Sequence, residues 1–340
     1  MIRPVDNPPS RFASTHTEWD EPLPAGIAFY EDHSREILSR NDSPDLHFRW
    51  SVNPYRGCFH GCAYCYARPS HEYLGFGAGT DFERKIVYKP GAPALLEAAL
   101  RASTWQRELI LFSGNTDCYQ PVEARLGLTR ACLEVCARLD NPVGIITKSA
   151  LVARDAELIS RIPHASVAVS IPFHDPVACR DIEPGAPPPA RRYEAIAALA
   201  AAGVRVGVNI APVIPGLTDR DIPSILAAAR AAGARHARLM PVRLPGPVEA
   251  IFRDTLQSRQ PLRARGILER IRRLRGGSLN DARFGHRFEG QGEEWAATLA
   301  LFRTLRARHG FDEAGPSVPG PQPRQASLFP ETLTPARAGE

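Results

Sequence analysis

Three of the chain's seven cysteines, Cys58, Cys62 and Cys65, fall within eight positions of the stretch GCFHGCAYCYARP (57–69). Thiolates gathered this closely suit a metal. The odd cysteine count argues against a disulfide framework, and so does the lack of an apolar signal-peptide core in MIRPVDNPPSRF. The expected location is the cytoplasm. Zinc wants four ligands, usually as two Cys-x2-Cys pairs or with a Cys/His pair further on, and neither occurs nearby; His60 and His71 are the residues that would complete such a site. An iron–sulfur cubane is ordinarily held by four thiolates, so three leave one iron open to chemistry. Gly57 and Gly61 suit a loop that turns tightly and approaches a cluster closely. Three buried structural cysteines in a glycine-rich loop are the plain alternative.

What must position this loop is a substantial α/β core. The chain has 340 residues and is 44% hydrophobic, enough for one barrel-sized domain or two smaller ones. A net charge of +5 permits an anionic partner without demanding one. The most apolar stretch, AIAALAAAGVRVGVNIAPVIPG (195–216), is broken by Gly203, Arg205 and Pro212. Its period changes midway, so it is an Ala-rich helix running into a buried strand, not a membrane span. Strands are expected at 48–53, 108–114, 143–149, 165–173, 204–212 and 236–242. Helices are expected at 61–74, 91–102, 122–139, 151–161, 189–202 and 219–232. Right-handed crossovers roll such repeats into an α/β fold, a partial (β/α)6 barrel. A doubly wound sheet is the rival, weakened because no G-x-G-x-x-G follows the first strand. The cysteine loop then lies just after the first strand, at the face where barrel active sites sit. Four regions follow: an extended N-terminal arm (1–45), the barrel (46–245), a helical C-terminal extension (246–310) and a Pro-rich disordered tail (311–340). Within the arm, Trp19, Phe29 and Tyr30 are the residues expected to find a groove.

The pattern Cys58-x3-Cys62-x2-Cys65, with Tyr64 before the last cysteine, resembles the radical S-adenosylmethionine (SAM) superfamily. The resemblance implies a [4Fe-4S] cluster whose open iron chelates SAM. It implies reductive cleavage of SAM to a 5'-deoxyadenosyl radical, fed by an electron donor such as flavodoxin or ferredoxin. NPYRGCFHGCAYCYARP (53–69) and GNTDCYQPVE (114–123) together resemble the branch that contains spore photoproduct lyase. In that branch, tyrosines placed like Tyr64 and Tyr66 help relay a hydrogen atom or electron; packing at the barrel mouth is the other reading. The lyase has a hydrogen-donor cysteine just after its second strand. With Asp117 as anchor that position is Gly114 here, so reversal of a thymine dimer is not carried over. Cys118 lies nearby, out of register. It is a donor by another path or simply a half-buried thiol.

The superfamily resemblance places the methionine amino group of SAM at the end of the second strand, here Ser113, Asn115 and Asp117. Lys148, after the third strand, is a point charge for the methionine carboxylate. Ser170 and Asn209 suit ribose or carboxylate contacts, and Arg191 suits an anion. Each equally suits a cap or loop hydrogen bond. Glu123 favours a helix dipole, and His174 with Asp175 touches substrate or makes a turn. QASLF (325–329) resembles the pentapeptide with which bacterial repair proteins bind the sliding clamp, through Gln325, Leu328 and Phe329. Eight arginines in 251–275, against Asp254 and Glu269, suit a nucleic-acid backbone or a solvated helix face. The first reading is a radical SAM enzyme acting on an unidentified substrate, with a DNA lesion as the leading guess. The alternative is a non-catalytic iron–sulfur or zinc adaptor that binds DNA or the clamp.

Overall fold

The computed structural model describes residues 26–46 and 48–312. Among the described residues ten strands are formed: β1 (Ala28–Glu31), β2 (Leu38–Arg40), β3 (Trp50–Val52), β4 (Tyr55–Arg56), β5 (Lys85–Tyr88), β6 (Ile110–Phe112), β7 (Val143–Thr147), β8 (Ser166–Ser170), β9 (Arg205–Val213) and β10 (His236–Pro241). The six apolar runs expected as strands are β3 and β6–β10. They pair in chain order and all in parallel, giving the sheet β10-β9-β8-β7-β6-β3, with β2 antiparallel on its outer edge. Sequential parallel order with helical crossovers is how a barrel winds. The sheet ends at β10 and β2 without closing, so this is a partial (β/α)6 barrel. Its strands carry near-continuous buried Val, Ile, Leu and Phe, such as Ile110, Phe112, Val143, Ile145, Val167, Val206 and Val208, as parallel strands covered on both faces require.

The helices Ala92–Arg101 and Pro189–Ala201 fall where the periodicity places them. Gly127, at φ +63°, splits the expected helix at 122–139 into Glu123–Leu126 and Leu128–Arg138. The expected helix at 61–74 is corrected: only a 3₁₀ helix, Arg68–Leu74, forms there. Residues 57–65 curl instead through Gly57 (φ +77°) and Gly61 (φ +61°), with Gly61 N–H donating to Cys58 O and Cys65 N–H to Cys62 O. A second sheet, β1-β5-β4, has strands of two to four residues, too short for a sequence pattern. It flanks the cysteine loop, with the Phe29 ring edge-on to Phe59 at 6.2 Å and Tyr30 tilted against Phe76 at 5.1 Å.

After the barrel come helices Val248–Arg259, Pro261–Leu274 and Glu293–Arg308. Ile267, Ile271 and Leu274 are buried, as their common face predicts. Most arginines of the arginine-rich stretch have partners within the chain, on a solvated face. Arg253 pairs with Glu249, Arg270 and Arg273 with Glu294, and Arg272 with Glu269. Arg263 donates to Gly216 O. Arg275 is buried, and its guanidinium donates to Val242 O at the end of β10 (2.5 Å) and to Glu289 O (2.7 Å) and Arg287 O (3.2 Å). Arg287 in turn donates to Asp45, just before β3, at 2.6 Å. The segment 276–292 thus straps the two sides of the unclosed barrel together. The tail residues Gln325, Leu328 and Phe329, and Trp19, lie outside the described residues. Among the described residues no helix is long and apolar enough to cross a membrane.

Replacing Arg275 by Met should leave several buried carbonyls without a donor. A loss of about 2–4 kcal/mol is expected in urea unfolding, with faster tryptic cleavage at Arg283 and Arg287. Unchanged stability and cleavage would show that the strap is held by other contacts.

Candidate active site

Cys58 follows β3 and β4 at the C-terminal face of the barrel. Its loop is fixed by backbone contacts that tolerate few side chains. A Cβ on Gly57 would come 2.7 Å from Lys85 O and 3.0 Å from Phe82 O, and one on Gly185 would come 2.0 Å from Phe59 O. Cys58 N–H donates to Phe82 O (2.8 Å), Ala63 N–H to Ile182 O (2.9 Å) and Gly185 N–H to His60 O (3.0 Å). Two buried polar side chains complete the mould. Gln120 donates to Gly57 O (2.8 Å) and accepts from Phe59 N–H (3.2 Å). Arg68 donates to Cys62 O and Gly61 O (both 3.0 Å), to Ala78 O (3.0 Å) and to the Glu83 carboxylate, and lies over the Phe82 ring. Neither role was legible from residue type, although both residues stand inside the quoted motifs.

All seven cysteines are free thiols, and in the loop Cys65 is the most accessible. Burial pushes the Cys58 thiol up, with Asp117 adding to it; burial and then Glu183 do the same to Cys62. Ionising them needs a compensating cation, which a metal supplies. Among the described residues no three His, Cys, Asp or Glu side chains are gathered to hold a metal ion by themselves. Neither histidine is poised to complete a mononuclear set. His71 Nε2 bonds Lys85 O at 3.0 Å between the Phe76 and Phe82 rings. His60 is 2% exposed, its Nδ1 3.4 Å from Asp117, and burial pushes it down to about 4.

At the end of β6, Asp117 accepts three hydrogen bonds, from Thr147 Oγ1 (2.7 Å), Lys148 N–H (2.8 Å) and Tyr119 N–H (2.9 Å), and so locks β6 to β7. Ser113, in a left-handed conformation at φ +70°, accepts from Cys118 N–H. Asn115 N–H donates to Asn53 Oδ1 and its side chain to Ser70. Ser170 is buried at the end of β8, its carbonyl accepting from Arg192. Asn209, its partner across β9, carries a buried Oδ1 with no hydrogen bond. Lys148 is 17% exposed, its Nζ 5.6 Å from the Tyr64 ring centre and 4.0 Å from Glu183.

The remaining candidates divide between the wall, the mouth, the core and the outer surface. Tyr64 is buried and its hydroxyl donates to Glu183, so it is part of the wall behind the loop. Tyr66 is 52% exposed at the mouth and donates to Gly114 O at 3.1 Å. Cys118 is 1% exposed within the core, and burial pushes its thiol well up, so it is closed off and not half-buried. Arg191 is turned outward and pairs with Glu194 of its own helix. The neighbouring Arg192 faces inward instead, donating to Glu183, Ser170 O (3.0 Å) and Pro187 O (2.8 Å). Glu123 is buried and accepts from Thr129 and Arg130 N–H at the start of the next helix, and Asp175 caps its helix through Val177 N–H. Gly114 has a steric reason: a Cβ there would lie 2.9 Å from Ser51 Cβ.

The family model "Radical SAM superfamily" matches residues 52–229. An uncharacterised protein of Mycobacterium tuberculosis is 35% identical over 317 residues, 91% of this chain and 88% of that one. The radical SAM Nα-GlyT isomerase of Pseudomonas phage M6 is 23% identical over 210 residues, covering 61% of this chain and 42% of its own. Among solved structures, spore photoproduct lyase complexed with dinucleoside spore photoproduct superposes with a TM-score of 0.60 at 16% identity, over 83% of this chain and 80% of that one. The likeness shows the same fold.

Gly114→Ala is expected to lower stability by about 1–3 kcal/mol through its collision with Ser51, and Ser51→Gly in the same chain to restore most of it. Additive losses in the double variant would refute the contact. Burial pushes His71 and His236 each down to about 4 from an ordinary 6.5. Below pH 6.5 the unfolded chain takes up these protons and the folded chain does not, so stability is full above 6.5 and falls as pH drops toward 4. Urea midpoints should show this decline, and His71→Gln should make it shallower; an identical slope would remove His71 from the account.

Proposed function

The chain belongs to the radical SAM superfamily, and on that footing we propose that Cys58, Cys62 and Cys65 hold a [4Fe-4S] cluster beside a SAM site at the strand ends. So held, a cluster would supply the one-electron reduction that splits SAM to a 5'-deoxyadenosyl radical, with the electron coming from a donor such as flavodoxin or ferredoxin. The chain's own residues shape and enclose that chemistry. Gln120 and Arg68 hold the loop so that its thiols keep a fixed spacing. The buried Asn209 Oδ1 is an acceptor waiting for a donor, which the ribose hydroxyls or amino group of SAM provide. Lys148 presents a cation for the methionine carboxylate, its backbone fixed by Asp117. Ser113 and Asn115 keep the β6 turn in shape through their bonds to Cys118 N–H and Asn53. Tyr64 backs the loop, and Tyr66, open at the mouth, stands where a phenol can exchange a hydrogen atom with substrate. The observation that carries this reading is the three-thiol loop moulded by Arg68 and Gln120 at the C-terminal face.

For substrate we favour a nucleic acid with a modified or damaged base. The lyase–dinucleoside complex points that way, as do the exposed ring of Tyr66 beside the loop and that of Phe29, edge-on to Phe59 within it. Such rings suit stacking with unpaired bases. The arginine-rich stretch adds little, being paired internally.

Anaerobic reconstitution followed by dithionite and SAM should yield 5'-deoxyadenosine. Cys58→Ala, Cys62→Ala and Cys65→Ala should each lose iron and product. Lys148→Ala should weaken SAM binding by about tenfold or more, read by calorimetry. No nucleoside product from protein with a full complement of cluster would sink the enzyme reading and favour the adaptor.

A further inference from the structure

Arg243 stands two residues past β10, at the same face of the barrel as the cysteine loop. Its guanidinium lies 4.7 Å from the centre of the Phe288 ring, whose other near neighbour is Arg287 at 4.9 Å. Arg287 also lies 4.7 Å from Phe284, 61% exposed. The result is a ladder, Arg243–Phe288–Arg287–Phe284, held in place by the Arg275 strap. The two cations differ in one respect. Arg287 is satisfied by Asp45 and Ser43. Arg243 has a buried Nε with no hydrogen bond, and no carboxylate pairs with it among the described residues.

The nearby acids are already engaged. Asp45 holds Arg287 and the Gly285 N–H (2.8 Å), and Asp281 holds Arg283. Burial, and then the charge of Arg287, push Arg243 below the ordinary guanidinium range, while Tyr66 and then the Asp45 carboxylate act in the opposite sense. Tyr66 directly follows Cys65. A largely desolvated guanidinium beside Arg287 and Arg275, whose neighbouring carboxylate Asp45 is bonded to Arg287, is costly unless a further anion arrives. Its planar donors suit the oxygens of a phosphate. Phe284, at the far end of the ladder, and Tyr66 are exposed rings that suit a planar base.

We propose that Arg243 is the seat for a phosphate of the substrate, a nucleotide unit whose base lies against the exposed rings at the barrel mouth. This rests on the radical SAM reading for its setting, but binding is measured without turnover. Two sources share the chemistry, a free nucleotide and a phosphodiester of single-stranded nucleic acid.

The test uses the reconstituted protein under anaerobic conditions without reductant. Fluorescence anisotropy follows a labelled thymidine dodecamer, with thymidine 5'-monophosphate and thymidine as competitors. The wild type should bind the dodecamer, and Arg243→Ala should weaken it about tenfold or more. The slope of log K against log salt should fall by about one. Arg243→Lys should recover part of the affinity and all of the salt slope. Competition by the monophosphate that Arg243→Ala abolishes, with no competition by thymidine, would support the seat and name the free nucleotide as its source. Equal dodecamer affinity and salt slope in wild type and Arg243→Ala would overturn the proposal, as would a wild type that binds neither probe. Thermal melting of Arg243→Gln alongside distinguishes lost contact from lost fold, since a folded Gln variant with wild-type binding also overturns it. A failure to form 5'-deoxyadenosine would count against the enzyme reading and leave these binding outcomes to be judged separately.

Discussion

A buried arginine decides whether the cysteine loop has a shape. Arg68 places one guanidinium among four backbone carbonyls and the Glu83 carboxylate, with Phe82 beneath it. Backbone carbonyls of a loop with positive-φ glycines have no ladder to join, so a side chain must satisfy them. Glu83 is itself buried and its carboxyl is pushed up by that burial, against the pull of Arg68. The pair is therefore stable only as a unit. Gln120 does the complementary work from the β6 side. Together they convert a sequence that would wander into a rigid three-thiol rim.

Behind the rim sits a second buried unit, in which Glu183 meets the Tyr64 hydroxyl, Arg192 and, at 4.0 Å, Lys148. Arg192 passes the connection on to Ser170 O. The ends of β7 and β8 and the loop are thereby coupled through charged hydrogen bonds, each costly to break in a low-dielectric interior. The site is thus built from supports that carry no chemistry of their own, and against them stand Asn209 Oδ1 and the His60 ring nitrogens, buried without hydrogen bonds, and the three loop thiols, none in a disulfide.

The parallel strands and the cysteine trio were legible because both obey short-range rules: apolar runs of strand length, and ligand spacing within one loop. The sheet β1-β5-β4 was not, since its strands are short and β1 is mostly exposed. Arg191 drew attention for its charge, yet the helix period already favoured Arg192, which shares a stripe with Ala195, Ile196 and Leu199. Cys118 suggested reactivity by its position near the loop, whereas its burial depends on packing that no local pattern records. The eight-arginine run suited a nucleic-acid backbone or a solvated helix face, and its acidic partners Glu249, Asp219 and Glu294, which decide for the second, lie outside the window. Long-range polar partners are the class of information that a linear reading loses.

The strap has a colloidal meaning as well. β10 is the exposed end of a parallel sheet, and an unpaired strand is a template for another chain. Here Arg275 occupies the carbonyls of Pro241 and Val242, and Asp312 N–H occupies Arg235 O. The last helices therefore act as a stopper on sheet growth, and a chain cut short at the end of the barrel would present a sticky margin to its own copies.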